Sequence, residues 1–141
     1  MKNDLSGMEP QILWGYFNEI RKIPRCSKHE ERAAEYVVAV ARRLWLDCKM
    51  DDAGNVVVKK AATPGKENVP AVLLQSHLDM VCEKNKDVSH DFARDPIEVV
   101  VEGGYVSARG TTLGADNGIG VATALAIMED LDAVHGPLEF L

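Results

Sequence analysis

The amino-acid sequence predicts an α/β fold in which a central mixed sheet is flanked by helices. Helical spacing of apolar residues covers the start of the chain, a short apolar run at 71–74 leads into a polar cluster, and a glycine-rich stretch at 110–120 opens a further helix. The chain has 141 residues, 46% of them hydrophobic. It is therefore long enough for one substantial core and too short for two ordinary domains.

Two amphipathic helices are predicted in the first third of the chain. Apolar residues recur at helical spacing over residues 11–21, and Pro10 before them suits a first helical position. Ser27 is followed three residues later by Glu30, which is the spacing of a capping box. The pattern predicts that Ser27 caps a second, longer helix with its buried stripe running to Leu44.

Strand patterns follow the helices. Residues 51–55 have the composition of a turn, and the β-branched run 56–58 after them predicts a strand. The continuous apolar run 71–74 is typical of a strand buried on both faces of a sheet. Two further runs, 97–101 and 105–106, are separated by Glu102 and a pair of glycines and predict a β-hairpin.

A polar cluster follows the apolar run, at the carboxyl end of a strand where open α/β sheets tend to bind ligands. His77 and Asp79 are two residues apart, so an extended backbone places both side chains on one face. A histidine that binds a metal usually has its other ring nitrogen held by a carboxylate or carbonyl, and Asp79 is a candidate for that role. An isolated His-x-Asp is also common by chance, so the pair alone leaves an incidental strand end open.

Asp116 is the second candidate. It lies between Gly114 and Gly118 just before the predicted third helix, where glycine permits unusual backbone angles. The alternative is an ordinary helix N-cap, because Asp and Asn are favoured there. A phosphate-binding loop is disfavoured, since no Gly-Lys-Ser/Thr step is present and an aspartate would repel phosphate.

Composition excludes several function classes. Sixteen Lys and Arg against 22 Asp and Glu give a formal charge of −6 without a basic block, which predicts no nucleic-acid partner. Residues 1–10 lack an apolar signal core and no apolar run has membrane-spanning length, so we expect no membrane partner and a cytoplasmic location. Cys26, Cys48 and Cys82 form neither an even set nor a CxxC pair, which predicts reduced thiols. A cysteine hydrolase built on Cys82 is disfavoured, because no oxyanion-hole signature accompanies it.

Four segments together carry a family resemblance: residues 74–81, 90–92, 108–120 and 135–139. They resemble the aminoacyl-histidine dipeptidases, which belong to a broad family of co-catalytic zinc aminoacylases, carboxypeptidases and dipeptidases. The string Arg-Gly-Thr-Thr-Leu-Gly-Ala-Asp-Asn-Gly-Ile-Gly at 109–120 is far more specific than His-x-Asp. The similarity spans nearly the whole chain.

The resemblance implies zinc-dependent hydrolysis of dipeptides, including Xaa-His. It implies that His77 binds one zinc, that Asp116 bridges two zincs, that Asp79 is the catalytic-site aspartate behind His77, and that the peptide between Asp116 and Asn117 is cis. His29, His90 and His135 are expected to be surface or structural residues.

The resemblance also implies that residues 1–141 are the amino-terminal part of the catalytic domain. The general-base glutamate, the later ligands and a lid domain that forms homo-oligomers would then lie outside this sequence. The alternative is a truncated, non-catalytic domain that binds metal weakly at most.

Overall fold

A computed structural model describes residues 5–141. Residues 1–4 lie outside the described part, and they belong to the segment 1–10 that we expected to lack an apolar signal core. Within this range the chain forms three helices and six strands. In chain order these are α1 (Gln11–Ile20), α2 (Glu31–Arg43), β1 (Asp47–Met50), β2 (Val56–Lys60), β3 (Val72–Leu74), β4 (Val99–Glu102), β5 (Tyr105–Ala108), α3 (Ala115–Glu129) and β6 (Leu138–Phe140).

Four of the strands form a mixed sheet in the order β1-β2-β6-β3. β3 and β6 are parallel, with Val72 opposite Leu138, whereas the other two pairings are antiparallel. β4 and β5 form a separate two-stranded hairpin. Its two-residue turn has φ of 58° at Gly103 and 81° at Gly104, and glycine is favoured where both turn residues need positive φ. The α/β class with a mixed sheet is therefore confirmed.

The prediction that β3 is buried on both faces is wrong. Val72 is 53% and Leu73 is 55% exposed. Among the described residues β3 pairs only with β6 and so lies at the edge of the sheet, while β2 and β6 are the inner strands. An apolar run indicates a tendency to be buried, but the number of neighbouring strands depends on pairing partners far away in sequence.

The helices pack around one apolar core. α1 contributes Tyr16, Phe17 and Ile20 and packs on α3, while α2 packs on β1 and β2. α1 and α2 lie where the apolar spacing predicted them, although Pro10 occupies the N-cap in an extended conformation, one position before the helix.

The predicted capping box at Ser27 is wrong. α2 begins at Glu31, Glu30 occupies its N-cap, and no side chain caps it. The Ser27 hydroxyl donates instead to the carboxylate of Asp79, which is 52 residues away in sequence.

The prediction that the thiols are reduced is also wrong, because Cys26 and Cys82 form a disulfide, with Cα atoms 5.6 Å apart, and Cys48 is free. Backbone hydrogen bonds lay the two cysteine segments side by side: the Met80 amide donates to the Arg25 carbonyl and the Ser27 amide to the Met80 carbonyl. Contact between segments so far apart in sequence leaves no trace in cysteine spacing. No helix within residues 5–141 is both long and apolar enough to cross a membrane.

Candidate functional site

Two of the candidate residues, His77 and Asp116, meet at one end of the sheet. His77 lies three residues beyond the carboxyl end of β3, and Asp116 is the second residue of α3. The His77 Nε2 atom is 3.0 Å from the Asp116 Oδ1 atom. The two side chains therefore face each other, although β3 is an edge strand. The peptide between Asp116 and Asn117 is cis, as the resemblance implied.

Asp79 lies behind the His77 ring. The Nδ1 atom of His77 is 3.1 Å from both the carboxylate Oδ1 and the backbone carbonyl oxygen of Asp79. Both Asp79 atoms are acceptors, so this nitrogen carries the proton that it donates to them. The Asp79 carboxylate also accepts the hydroxyl of Ser27. These contacts fix the ring plane and direct Nε2 towards Asp116.

Electrostatics at this cluster favour positive charge between the carboxylates. Burial lowers the pKa of His77, but hydrogen bonds to Asp116 and Asp79 and the charges of both residues raise it further, so the net shift is upward. The hydrogen bond from Ser27 lowers the pKa of Asp79, and the charge of His77 acts in the same direction. The carboxylate form of Asp79 and the protonated form of His77 therefore stabilise each other.

Arg25 is a buried residue beneath the site. It is 2% exposed, and its guanidinium donates to the backbone carbonyls of Leu78 at 3.0 Å, Asp79 at 3.2 Å, and Gly114. Burial lowers the pKa of Arg25 to about 10, and the charge of Asp79 partly offsets that effect. The guanidinium thus binds the segments that carry His77 and Asp116. Sequence reasoning missed Arg25 because a lone arginine in a loop has no distinguishing spacing.

A cavity of about 260 Å³ opens beside His77 and Asp79. Residues of α3 and β6 form its apolar wall, including Val121, Leu125 and Phe140. The cavity therefore offers apolar surface next to the polar cluster, an arrangement typical of small-molecule sites.

The remaining histidines lie in other environments. His29 is exposed, the His90 ring packs edge-on against Phe92 with centroids 4.5 Å apart, and the His135 Nδ1 atom contacts the Gly136 carbonyl. Across residues 5–141 no group of three or more His, Cys, Asp and Glu side chains is arranged to hold a metal. The candidate donor set of these residues is therefore His77 and Asp116, with Asp79 behind.

Two rival interpretations fail. The sulfur of Cys82 is bonded to Cys26, which removes the thiol that a cysteine hydrolase needs. The N-cap interpretation of Asp116 finds no supporting bond: α3 is kinked at Asp116, where φ is −91° and ψ is 105°, no side-chain cap bond is formed at its start, and the Asp116 carboxylate contacts His77 instead.

Comparison with known proteins gives the class. No protein-family model matches the chain. The chain is 52% identical over 139 residues to cytosol non-specific dipeptidase from Escherichia coli, covering 99% of this chain. In structure it matches a tripeptidase from Staphylococcus aureus with a TM-score of 0.73 and 25% identity over 92% of this chain. The fold is therefore one that peptidases use.

Within that class a structural match agrees with the resemblance found in the sequence. Aminoacylhistidine dipeptidase from Vibrio alginolyticus superimposes with a TM-score of 0.94 and 49% identity over 97% of this chain. The resemblance to the aminoacyl-histidine dipeptidases is confirmed. The chain spans 29% of the length of the Escherichia coli relative and 28% of the Vibrio chain.

Proposed function

We propose that this protein is a zinc-dependent dipeptidase of the aminoacyl-histidine type, and that residues 1–141 are the amino-terminal part of its catalytic domain. The similarity to two dipeptidases supports the reaction class. The substrate we propose is a dipeptide, with Xaa-His among those accepted. The name of the Escherichia coli relative, a cytosol dipeptidase, supports a cytoplasmic location. The family resemblance supports a lid domain outside residues 1–141 that would form homo-oligomers.

One observation carries the metal proposal. Asp79 accepts the Nδ1 proton of His77, and the Nε2 atom lies 3.0 Å from the Asp116 carboxylate; a proton bridges this pair when His77 is cationic, and the neutral ring offers its Nε2 lone pair to a metal. Two acceptors that face each other at this distance repel unless a proton or a cation lies between them. An imidazole nitrogen and a carboxylate oxygen are both zinc ligands. The donor chemistry therefore fits zinc.

The residues would then have separate tasks. His77 and Asp116 would hold zinc, His77 through its Nε2 atom and Asp116 through its carboxylate. Asp79 fixes the tautomer of His77, and Ser27 fixes Asp79. Zinc supplies Lewis acidity towards the scissile carbonyl and lowers the pKa of water towards ~7. The general base and the further ligands have no candidate among residues 5–141.

A second candidate function is a non-catalytic domain with weak metal binding at most. The lack of a three-residue donor group within residues 5–141 favours it, because catalytic zinc normally has three protein ligands. The two functions differ in whether the site turns over substrate when the rest of a dipeptidase is supplied.

A chimeric enzyme distinguishes the dipeptidase from the non-catalytic domain. Residues 1–141 would replace the matching part of the Escherichia coli dipeptidase, and hydrolysis of Xaa-His dipeptides would be followed with and without zinc. We expect zinc-dependent turnover that is lost in His77→Ala and Asp116→Asn and retained in His29→Ala, a control at an exposed histidine. The 141-residue chain alone should be inactive. A folded chimera that binds zinc without turnover would favour the second candidate, and turnover that resists chelation would refute the zinc proposal.

A further inference from the structure

We propose that Arg25 is a positioning residue that sets the separation between His77 and Asp116 by binding the backbones of both segments. The inference extends the proposed function, since it assigns a residue that controls the geometry of the same site.

The contacts of Arg25 are unusual in being directed at the main chain. One terminal nitrogen, Nη1, donates to the carbonyls of Leu78 and Asp79, which follow His77 directly. The other, Nη2, donates to the carbonyl of Gly114, two residues before Asp116. The guanidinium is planar and rigid, so its two nitrogens hold these carbonyls at a fixed distance from each other. A shift of either segment would break a charge-assisted hydrogen bond in a buried place.

Two glycines make room for this arrangement. A Cβ atom on Gly114 would lie 2.6 Å from Nη2 of Arg25 and 2.6 Å from the sulfur of Met80. A Cβ atom on Gly118 would lie 2.8 Å from the same Nη2 and 3.1 Å from the Phe17 ring. The glycines on either side of Asp116 therefore admit the guanidinium.

A merely structural role explains the burial less well. A buried charge is costly, and a buried ion pair is often no more stabilising than apolar packing of similar volume. The charged guanidinium of Arg25 donates to neutral carbonyls, and its Nε atom is buried with no hydrogen-bond partner among the described residues. An apolar side chain would fill the space without that loss. It would not hold residues 78, 79 and 114 in register.

The test uses the 141-residue chain and two kinds of readout. Zinc affinity is measured by calorimetric titration of the wild type, Arg25→Met, Arg25→Lys and Gly118→Ala. Gly15→Ala is the matched control, because it lies in α1 and a Cβ atom there meets nothing within 4 Å. Amide hydrogen exchange of the metal-free proteins reports order independently of zinc. The informative amide is that of Gly118, which donates to the Gly114 carbonyl that Arg25 also binds.

Arg25→Met should weaken zinc binding about 10- to 100-fold, the usual effect of removing a group that orients metal ligands. Arg25→Lys should lose less zinc affinity than Arg25→Met, since lysine keeps the positive charge but lacks the planar pair of guanidinium nitrogens. Gly118→Ala should weaken binding in the same direction by displacing the guanidinium, and Gly15→Ala should change it less than about twofold. Protection should fall at 77–80 and 114–118 and stay unchanged across α2.

Zinc affinity within about twofold of wild type in folded Arg25→Met or Gly118→Ala would overturn the proposal. Loss of protection spread evenly over α2 and the site would also overturn it, since that is the signature of a structural role. If Arg25→Met does not fold, Arg25→Lys and Gly118→Ala decide. If the wild-type chain alone binds no zinc, the exchange pattern decides the role of Arg25, and the chimera separately decides the proposed function.

Discussion

The two ends of α3 both involve an arginine and a carboxylate, but they use them in opposite ways. At the carboxyl end the side chains bind one another: the Tyr16 hydroxyl donates to Glu129, and Arg43 donates to that hydroxyl oxygen at 2.9 Å and to Glu129 at 3.2 Å. At the amino end Arg25 binds only backbone carbonyls among its described contacts, and the Asp116 side chain is 94% exposed.

The difference separates a structural network from a site. At the carboxyl end two donors engage the Glu129 carboxylate, whereas at the amino end Arg25 binds the backbone and the exposed Asp116 carboxylate beside His77 stays accessible to a ligand. We therefore expect changes at the carboxyl end to affect stability alone. Changes at the amino end should affect both stability and metal binding.

The largest effect should come from the disulfide that joins the segments under the amino end. Closing a loop of 56 residues should stabilise the chain by roughly 4 kcal/mol through the entropy of the unfolded state. A Cys26→Ser, Cys82→Ser double variant should lose about that free energy of unfolding in urea denaturation, and Cys48→Ser is the control at the free cysteine. An unchanged midpoint in the double variant would show that the bond is not formed in solution.

The next largest loss of stability should come from Gly114→Ala. The left-handed backbone costs a non-glycine residue about 1–2 kcal/mol, and overlap with Arg25 and Met80 adds roughly 1–3 kcal/mol. Gly65→Ala has a similar φ of 83° with nothing within 4 Å of its Cβ, so it isolates the overlap. Denaturation and zinc titration of both variants should show a larger loss of stability, and a loss of zinc affinity, only in Gly114→Ala. Equal losses of stability and of zinc affinity in the two variants would mean that close packing of Gly114 against Arg25 and Met80 is unimportant.

Tyr16→Phe at the other end should cost about 1.5 kcal/mol, because it removes a hydrogen bond to a charged acceptor. Tyr105→Phe is the matched control, since Tyr105 is 78% exposed. Zinc affinity should be unchanged in both variants. Weaker zinc binding in Tyr16→Phe would show that the two ends of α3 are coupled and would remove the contrast between them.

The smallest effect concerns pH. The hydrogen bond from Tyr16 and those from Arg43 lower the pKa of Glu129. A depressed carboxyl pKa contributes stability above the unfolded value of about 4.3, and this is lost as the pH falls through the folded value. Thermal unfolding at pH 7 and at low pH should therefore show a smaller acid-induced loss in Glu129→Gln than in wild type. Identical losses would refute the contribution of Glu129.

Local patterns in the sequence predicted much of the fold. α1, α2, the hairpin and the start of α3 each have a signature within a few residues, as do His77 at a strand end and Asp116 among glycines. β1 was not predicted, although Asp47–Met50 alternates polar and apolar residues, because a four-residue pattern is short and the strand depends on its pairing with β2.

The rest depended on contacts between distant residues. Arg25 reaches carbonyls 53, 54 and 89 residues away, and the disulfide spans 56. Ser27 shows how a local pattern can mislead, since the capping spacing was present while its hydroxyl bound Asp79. The edge position of β3 likewise follows from its pairing with β6.

The most direct test of the central claim is nitrogen NMR of the histidine rings during zinc titration. The chain contains four histidines, so each ring can be followed separately. We expect the Nε2 signal of His77 to shift on adding zinc, its Nδ1 to stay protonated, and His29, His90 and His135 to be unaffected. The shift should disappear in Asp116→Asn. A zinc response at another histidine with His77 unchanged would contradict the account.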